Sequence, residues 1–170
     1  DENVQVGKTV WLATRGFSCV VKTIRNVYLV DEDIEVQFLT KDPAGKPLTE
    51  EMSFGVFKRE TTPYGDAAEV KILEQAVKTG SEGTGKTLIR IKDGGKYVLR
   101  AEGRDRFGNP VSGQTELFIS GQDDDIKLRI ITAQEEFRVG AHPEITVFSR
   151  AAKGLGLLTY EGETILSYCP

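Results

Sequence analysis

The sequence predicts an all-β chain folded as an antiparallel β-sandwich, and three observations carry that prediction. Apolar and polar residues alternate along most of the chain, with β-branched and aromatic residues in the apolar slots, as strands with one buried face require. Clusters of turn-forming residues separate these runs: DPAGKP (Asp42–Pro47), TPYGD (Thr62–Asp66), DGG (Asp93–Gly95) and RFGNP (Arg106–Pro110). The chain also repeats itself, because VKTIRNVYLVDEDIEVQFLTK (Val21–Lys41) lies over IITAQEEFRVGAHPEITVFSR (Ile130–Arg150) without a gap. Short strands at this spacing belong in a sandwich.

Taken in order, strands are expected at Thr9–Arg15, Ser18–Ile24, Ile34–Thr40, Met52–Arg59, Glu69–Val77, Thr87–Lys92, Gly95–Asp105 and Gln114–Ser120. Ile126–Thr132, Glu144–Ser149, Gly156–Tyr160 and Thr164–Tyr168 follow in the second part. The stretch Ala67–Lys78 has a helical alternative, since Val70, Leu73, Ala76 and Val77 fall on one helical face; the strand is the preferred reading.

In the repeat, Val21 meets Ile130, Thr23 meets Thr132, Tyr28 meets Phe137, Val30 meets Val139, Val36 meets Ile145 and Phe38 meets Val147. The matched apolar positions share one parity within each strand, as a common buried face demands. Two tandem sandwich domains are therefore expected. Residues 1–17 read as the last strand of a preceding domain or an N-terminal extension. Residues 18–121 form the complete domain, the polar QDDD (Gln122–Asp125) is the joint, and residues 122–170 are the first part of a second domain. An incomplete copy leaves sheet edges that invite pairing, and the segment Val4–Arg15 is a candidate partner in the same molecule or another.

The totals bound the function. A chain of 170 residues buries a real core, and 22 Lys plus Arg against 26 Asp plus Glu give a net charge of -4, which exerts no general pull toward nucleic acid or anionic lipid. No apolar run approaches the roughly 20 residues of a membrane span, and no leader pattern opens the chain. The first residue is Asp1 rather than Met, so the chain reads as a piece of something longer. Two cysteines, Cys19 and Cys169, with His142 as the single histidine, fall short of a four-ligand zinc site. Both thiols are read as unpaired and partly buried.

One stretch imitates machinery. GSEGTGKT (Gly80–Thr87) satisfies the phosphate-loop pattern G-x-x-x-x-G-K-[ST] at every position, and VYLVDE (Val27–Glu32) resembles an apolar strand ending in a magnesium-holding acid. Such a loop works by delivering phosphate to the N-terminus of a helix, whose unpaired amides bind the anion. Here Lys86 is followed by TLIRIKDGG, in which Leu88, Ile89 and Ile91 favour a strand and Asp93-Gly94-Gly95 break the chain. The backbone after Lys86 is expected to be extended, the glycines a turn, and Lys86 a solvated charge. VYLVDE precedes the loop and runs on into the next strand.

The other candidates are weaker. His142, before Pro143, reads as a solvated turn residue with no nucleophile and acid arranged around it. Asp31, Glu32, Asp33 and the run Asp123–Asp125 offer hard oxygens for calcium but lack the D-x-D-x-[DN]-G loop, and solvated turn charges are preferred. Trp11 with Phe17, and Tyr64 in its turn, could form a sugar platform; core or joint packing is preferred. Gly154 and Gly156 in KGLGLL suggest a strand bend rather than a phosphate site. No catalytic, cofactor or metal residue is assigned.

On these residues the chain resembles the α2-macroglobulin family, particularly its bacterial members. A strand, a Tyr or Phe, a V-x-[DG]-E-like turn and a strand running into KDPAGKPL (Lys41–Leu48) are similar to the start of a macroglobulin domain. GTGKTLIRIKDGGKYVLRAEGRDRFGNPVSG (Gly83–Gly113) matches the closing half, with a glycine turn, a strand, G-x-Y and a strand ending in D-x-x-G-N. FRVGAHPEITVFSR and GLGLLTYEGETILSY (Gly154–Tyr168) resemble the opening of a later domain. The resemblance implies a macroglobulin, immunoglobulin or fibronectin-III-like sandwich, and a non-enzymatic segment of a large, exported protease trap in the periplasm, secreted, or at the cell surface. Its implied partners are neighbouring macroglobulin domains and, through the parent protein, target proteases. The family's thioester motif, C-x-E-Q, follows neither Cys19 nor Cys169, and no bait loop is evident, so covalent trapping is not carried over. The alternative is an adhesive or carbohydrate-binding immunoglobulin-like module of a cell-surface protein.

Overall fold

The computed structural model describes residues 7, 13–61, 67–132, 136–150, 157–161 and 165–169; in the last two segments only Leu157 and Thr159 carry described side chains. The chain divides into two compact units, Asp1–Asp123 and Asp124–Pro170. All regular structure among the described residues is β.

Unit 1 contains β1 (Ser18–Thr23), β2 (Val27–Leu29), β3 (Asp33–Lys41), β4 (Glu51–Thr61), β5 (Ala67–Lys78), β6 (Thr84–Arg90), β7 (Gly95–Arg104) and β8 (Pro110–Ser120). They form a 3-stranded sheet of order β1-β3-β6 and a 5-stranded sheet of order β2-β8-β7-β4-β5. All pairings are antiparallel except β2 with β8, which is parallel. One side of each sheet is apolar, and the two sides meet in a single core: Val21, Ile34, Val36, Phe38 and Ile89 from the small sheet, and Tyr28, Phe54, Val56, Tyr97, Leu99, Leu117 and Ile119 from the large one. This is the predicted β-sandwich. Phe38 and Phe54 meet edge to face between the sheets, ring centroids 5.2 Å apart. Each large side chain so buried contributes about 1.5–3 kcal/mol through water exclusion.

The first strand changes sheets. β1 lies on the small sheet, then Ile24-Arg25-Asn26 cross over and β2 pairs with β8. Thr23 donates its hydroxyl to the Arg25 carbonyl at 2.8 Å, and the Arg25 amide donates to the Tyr28 hydroxyl at 3.1 Å, so the crossing supplies its own polar partners. β1 passes so close to β8 that a Cβ at Gly113 would stand 2.3 Å from the Cys19 carbonyl oxygen. Only glycine fits there.

Several expectations need correction. Val27–Leu29, outside the expected strands, is a strand because Tyr28 buries its ring and the Asn26 carbonyl accepts the Phe118 amide at 2.8 Å. β6 begins at Thr84, not Thr87, and ends at Arg90, since Leu39 already pairs with Thr84. Ala13 is irregular and Thr14 and Arg15 are bends rather than strand, and the rest of Thr9–Arg15 lies outside the described residues. There the Gly16 amide is drawn to Asp105 at 2.8 Å, which turns the chain into β1. Ala67–Lys78 is a strand, as preferred, paired with β4 along its length through an irregularity at Val56/Phe57. The Thr62–Asp66 turn lies outside the described residues.

Unit 2 has two hairpin-like pairs, β9 (Leu128–Thr132) with β10 (Ile145–Ser149) and β11 (Leu158–Glu161) with β12 (Ile165–Cys169), all antiparallel. β9 and β10 are the repeat partners of β1 and β3. Val21 pairs with Phe38 in the first copy, and Ile130 with Val147 in the second. No helix among the described residues is long and apolar enough to cross a membrane.

Candidate functional site

The phosphate-loop-like octapeptide is a structural tie. The Gly83 amide donates to the Gly80 carbonyl at 2.9 Å, the Gly80 amide to the Thr84 carbonyl at 2.9 Å, and the Thr40 amide to the Gly83 carbonyl at 2.8 Å. Beneath this turn, the buried hydroxyls of Thr40 and Thr79 lie 2.8 Å apart; Thr40 donates to the Leu48 carbonyl at 2.5 Å and Thr79 accepts the Glu50 amide at 2.9 Å. Buried hydroxyls are retained only where each finds partners. Gly83 has φ +64, and a Cβ there would sit 2.3 Å from the Thr40 carbonyl oxygen. The glycine is dictated by packing against Thr40. Beyond it the backbone is extended, as expected: Lys86 lies opposite Gln37 in β6 and reaches Glu35 at 2.9 Å on the exposed face. That contact heads the causes holding the Glu35 carboxyl below its usual range, ahead of the Gln37 amide. Amides in a ladder point sideways into neighbouring strands and cannot converge on a phosphate.

Asp105 organises the D-x-x-G-N turn. Its side chain is buried and accepts the amides of Phe107 and Asn109 at 2.9 Å, the Asn109 side-chain amide at 3.1 Å and the Gly16 amide at 2.8 Å. Burial alone would raise this carboxyl, but donors from Gly16, Asn109 and Phe107 outweigh it and hold the pKa at about 2. The charge is locked into chain geometry, with its lone pairs spent on amides. Glu50 is pushed the other way, first by its own burial and then by the Asp105 charge. The turn signature was visible in the sequence; that its aspartate also captures Gly16 required the fold.

Beside this turn lies an open groove of about 620 Å³, lined among others by Thr14, Arg15, Ser18, Cys19, Asp42 and Ser112. Asp42 is committed to its own turn, accepting the Ala44 amide at 2.9 Å and the Lys46 amide at 2.8 Å. Cys19 is a free, buried thiol whose pKa is raised to about 11 by desolvation, so it is a poor nucleophile. Among the described residues lining the groove are hydroxyls and a guanidinium.

Three of the acidic candidates, Glu32, Asp33 and Asp124, are engaged within the fold. Glu32 pairs with Arg25, which also stacks over Tyr28 at 4.5 Å, and accepts the Leu29 amide at 2.9 Å. Asp33 pairs with Arg90 at 2.6 Å, and Asp31 occupies the turn with φ 60. Asp124 is buried, pairing with Arg129 at 2.7 Å and lying 3.6 Å from Arg150. Within QDDD, that central acid is the hub, a role its sequence context did not single out. Among the described residues, no cluster of three or more His, Cys, Asp or Glu is placed to hold a metal. His142 is exposed in a loop and Phe17 is buried in the core. Trp11, Tyr64, Gly154, Gly156 and the Cys169 side chain lie outside the described residues.

No protein-family model matches the chain, and no curated protein does. Among solved structures, Spo0M, a sporulation control protein from Bacillus subtilis, aligns at TM-score 0.47 and 11% identity over 62% of this chain and 49% of its own. The match thus spans about half of that protein. The soluble domain of PmoD from Methylocystis sp. aligns at TM-score 0.44 and 14% identity, over 65% of this chain and 95% of its own. The superoxide reductase neelaredoxin from Ignicoccus hospitalis aligns at TM-score 0.40 and 11% identity, over 61% and 80%.

Proposed function

We propose that this chain is a non-catalytic structural segment of a large, α2-macroglobulin-like protease inhibitor, built from tandem macroglobulin-type sandwiches that space and connect its neighbours. The observation that carries the reading is the repeat itself: two copies of one strand pair, in one register, separated by a polar joint. A binding or catalytic module draws its chemistry from loops held open on a scaffold. Here Glu32 is spent on Arg25 and Asp105 on backbone amides. Rigid spacing is what such an arrangement supplies. The partners of this segment would be adjoining sandwich domains, with target proteases met through the parent protein, in the periplasm or outside the cell.

The test is the coding sequence on either side of this segment. Further macroglobulin-type repeats with a downstream C-x-E-Q motif or a long cleavable bait loop are expected. A run of many near-identical copies ending in a surface anchor, together with saturable glycan binding by the purified chain, would replace the trap with an adhesin.

A further inference from the structure

β1–β3 and β9–β10 are one structural element made twice. Thr23 lies opposite Val36 in the first, and Thr132 opposite Ile145 in the second, at matched positions of the repeat. Their surroundings differ. Val21 and Phe38 are 4% and 2% exposed, whereas Ile130 and Val147 are 59% and 49% exposed. Leu128 extends the same exposed face, for it pairs with Ser149 in phase with Ile130 and Val147. The reverse face of β9–β10 is occupied, since Arg129 and Arg150 gather on Asp124 and Arg150 stacks over Phe148 at 4.8 Å. That fixes which side of the pair is turned outward. In unit 1 the corresponding face is covered by the large sheet, with Leu99 of β7 and Leu117 and Ile119 of β8 in the shared core.

We propose that the outward face of β9–β10 is a docking surface for an antiparallel β-hairpin of the β7–β8 kind, whose alternating apolar residues close a second sandwich. The repeat identifies this occupant. At three matched positions of this face the second copy keeps an apolar residue, Ile130 for Val21, Ile145 for Val36 and Val147 for Phe38, and so presents the relief that a pleated apolar face meets in unit 1. β9 and β10 form a 2-stranded sheet among the described residues, whereas β3 has strands on both sides. Such a face accepts a strand-forming partner. The inference rests on the repeat and not on the protease-trap reading.

The probe is a synthetic peptide of residues Gly95–Ser120, fluorescently labelled at its N-terminus and titrated with the intact chain while light scattering records the chain's mass. Saturable anisotropy change is expected, weakened at least about tenfold when Ile130→Glu and Val147→Glu place two charges at the centre of the face. Leu88→Glu, on an exposed strand position of unit 1, is expected to leave binding unchanged. Absence of saturable binding, or binding indifferent to the paired glutamates, overturns the proposal. A dimer of the chain that those glutamates dissolve also overturns it, by giving the face to a second copy. Both substituted residues are exposed, so the variants should fold as the parent does, and circular dichroism checks this.

Discussion

The strand pair β1–β3 and its repeat β9–β10 have the same register and opposite exposure of their apolar faces. Register is a local property, set by the order of apolar and polar residues and by where the connection turns back. Burial is not local. It needs a second sheet, which unit 1 assembles from strands as distant in sequence as β2 and β8.

The comparison breaks most sharply in the core. Phe38→Ala removes a buried ring in contact with Phe54 and is expected to cost about 3–5 kcal/mol, whereas Val147→Ala at the matched position should cost about 0.5 kcal/mol or less. Urea unfolding of the two variants measures both. Equal losses would mean that Val147 is covered in solution.

A second pair of substitutions sharpens the contrast at the turns. Gly83 and Gly140 both have positive φ, +64 and +86, but an added Cβ meets the Thr40 carbonyl at Gly83 and nothing within 4 Å at Gly140. Gly140→Ala should cost about 1 kcal/mol, from backbone strain alone, and Gly83→Ala about 2–3 kcal/mol or more, as the Thr40–Thr79 tie is pushed open. Melting curves for the two variants that coincide would show the tie to be loose.

The smallest effect is confined to acid. The Asp105 carboxyl is held at about 2 when folded, below its ordinary value. Its stabilisation is therefore complete above pH ~4 and lost as pH falls from there through about 2. Glu50 has the opposite sign: its raised carboxyl favours the fold at low pH and loses that contribution as pH rises through its folded pKa. In a Glu50→Gln background, stability should fall monotonically below pH ~4, and Asp105→Asn should flatten that limb. A limb that persists in Asp105→Asn would assign the acid sensitivity to another carboxylate.

Strands with one wet face were legible in the sequence, because alternation records burial directly; β3, β4 and β7 begin and end close to where the pattern places them. β2 was not, since three residues carry no period and its pairing partner is supplied by the far end of unit 1. The extended backbone at Lys86 was readable from Leu88, Ile89 and Ile91, whereas the reason for Gly83 was not, as it depends on Thr40 of β3 and Leu48 of the following connection arriving beside it. Asp124 and Asp105 show the same limit. Acids in polar turns look solvated in sequence, and only the fold reveals which one is buried with arginines and which one gathers amides.

The parallel pairing of β2 with β8 sets how unit 1 answers a mechanical pull. These strands lie near the beginning and the end of the sandwich and run in the same direction, so tension applied through the flanking chain drags them past each other lengthwise. The hydrogen bonds between Val27–Leu29 and Phe118–Ser120 are then strained together in shear and cannot open one after another. A module joined in this way resists stretching along the chain more than its modest number of pairing contacts would suggest.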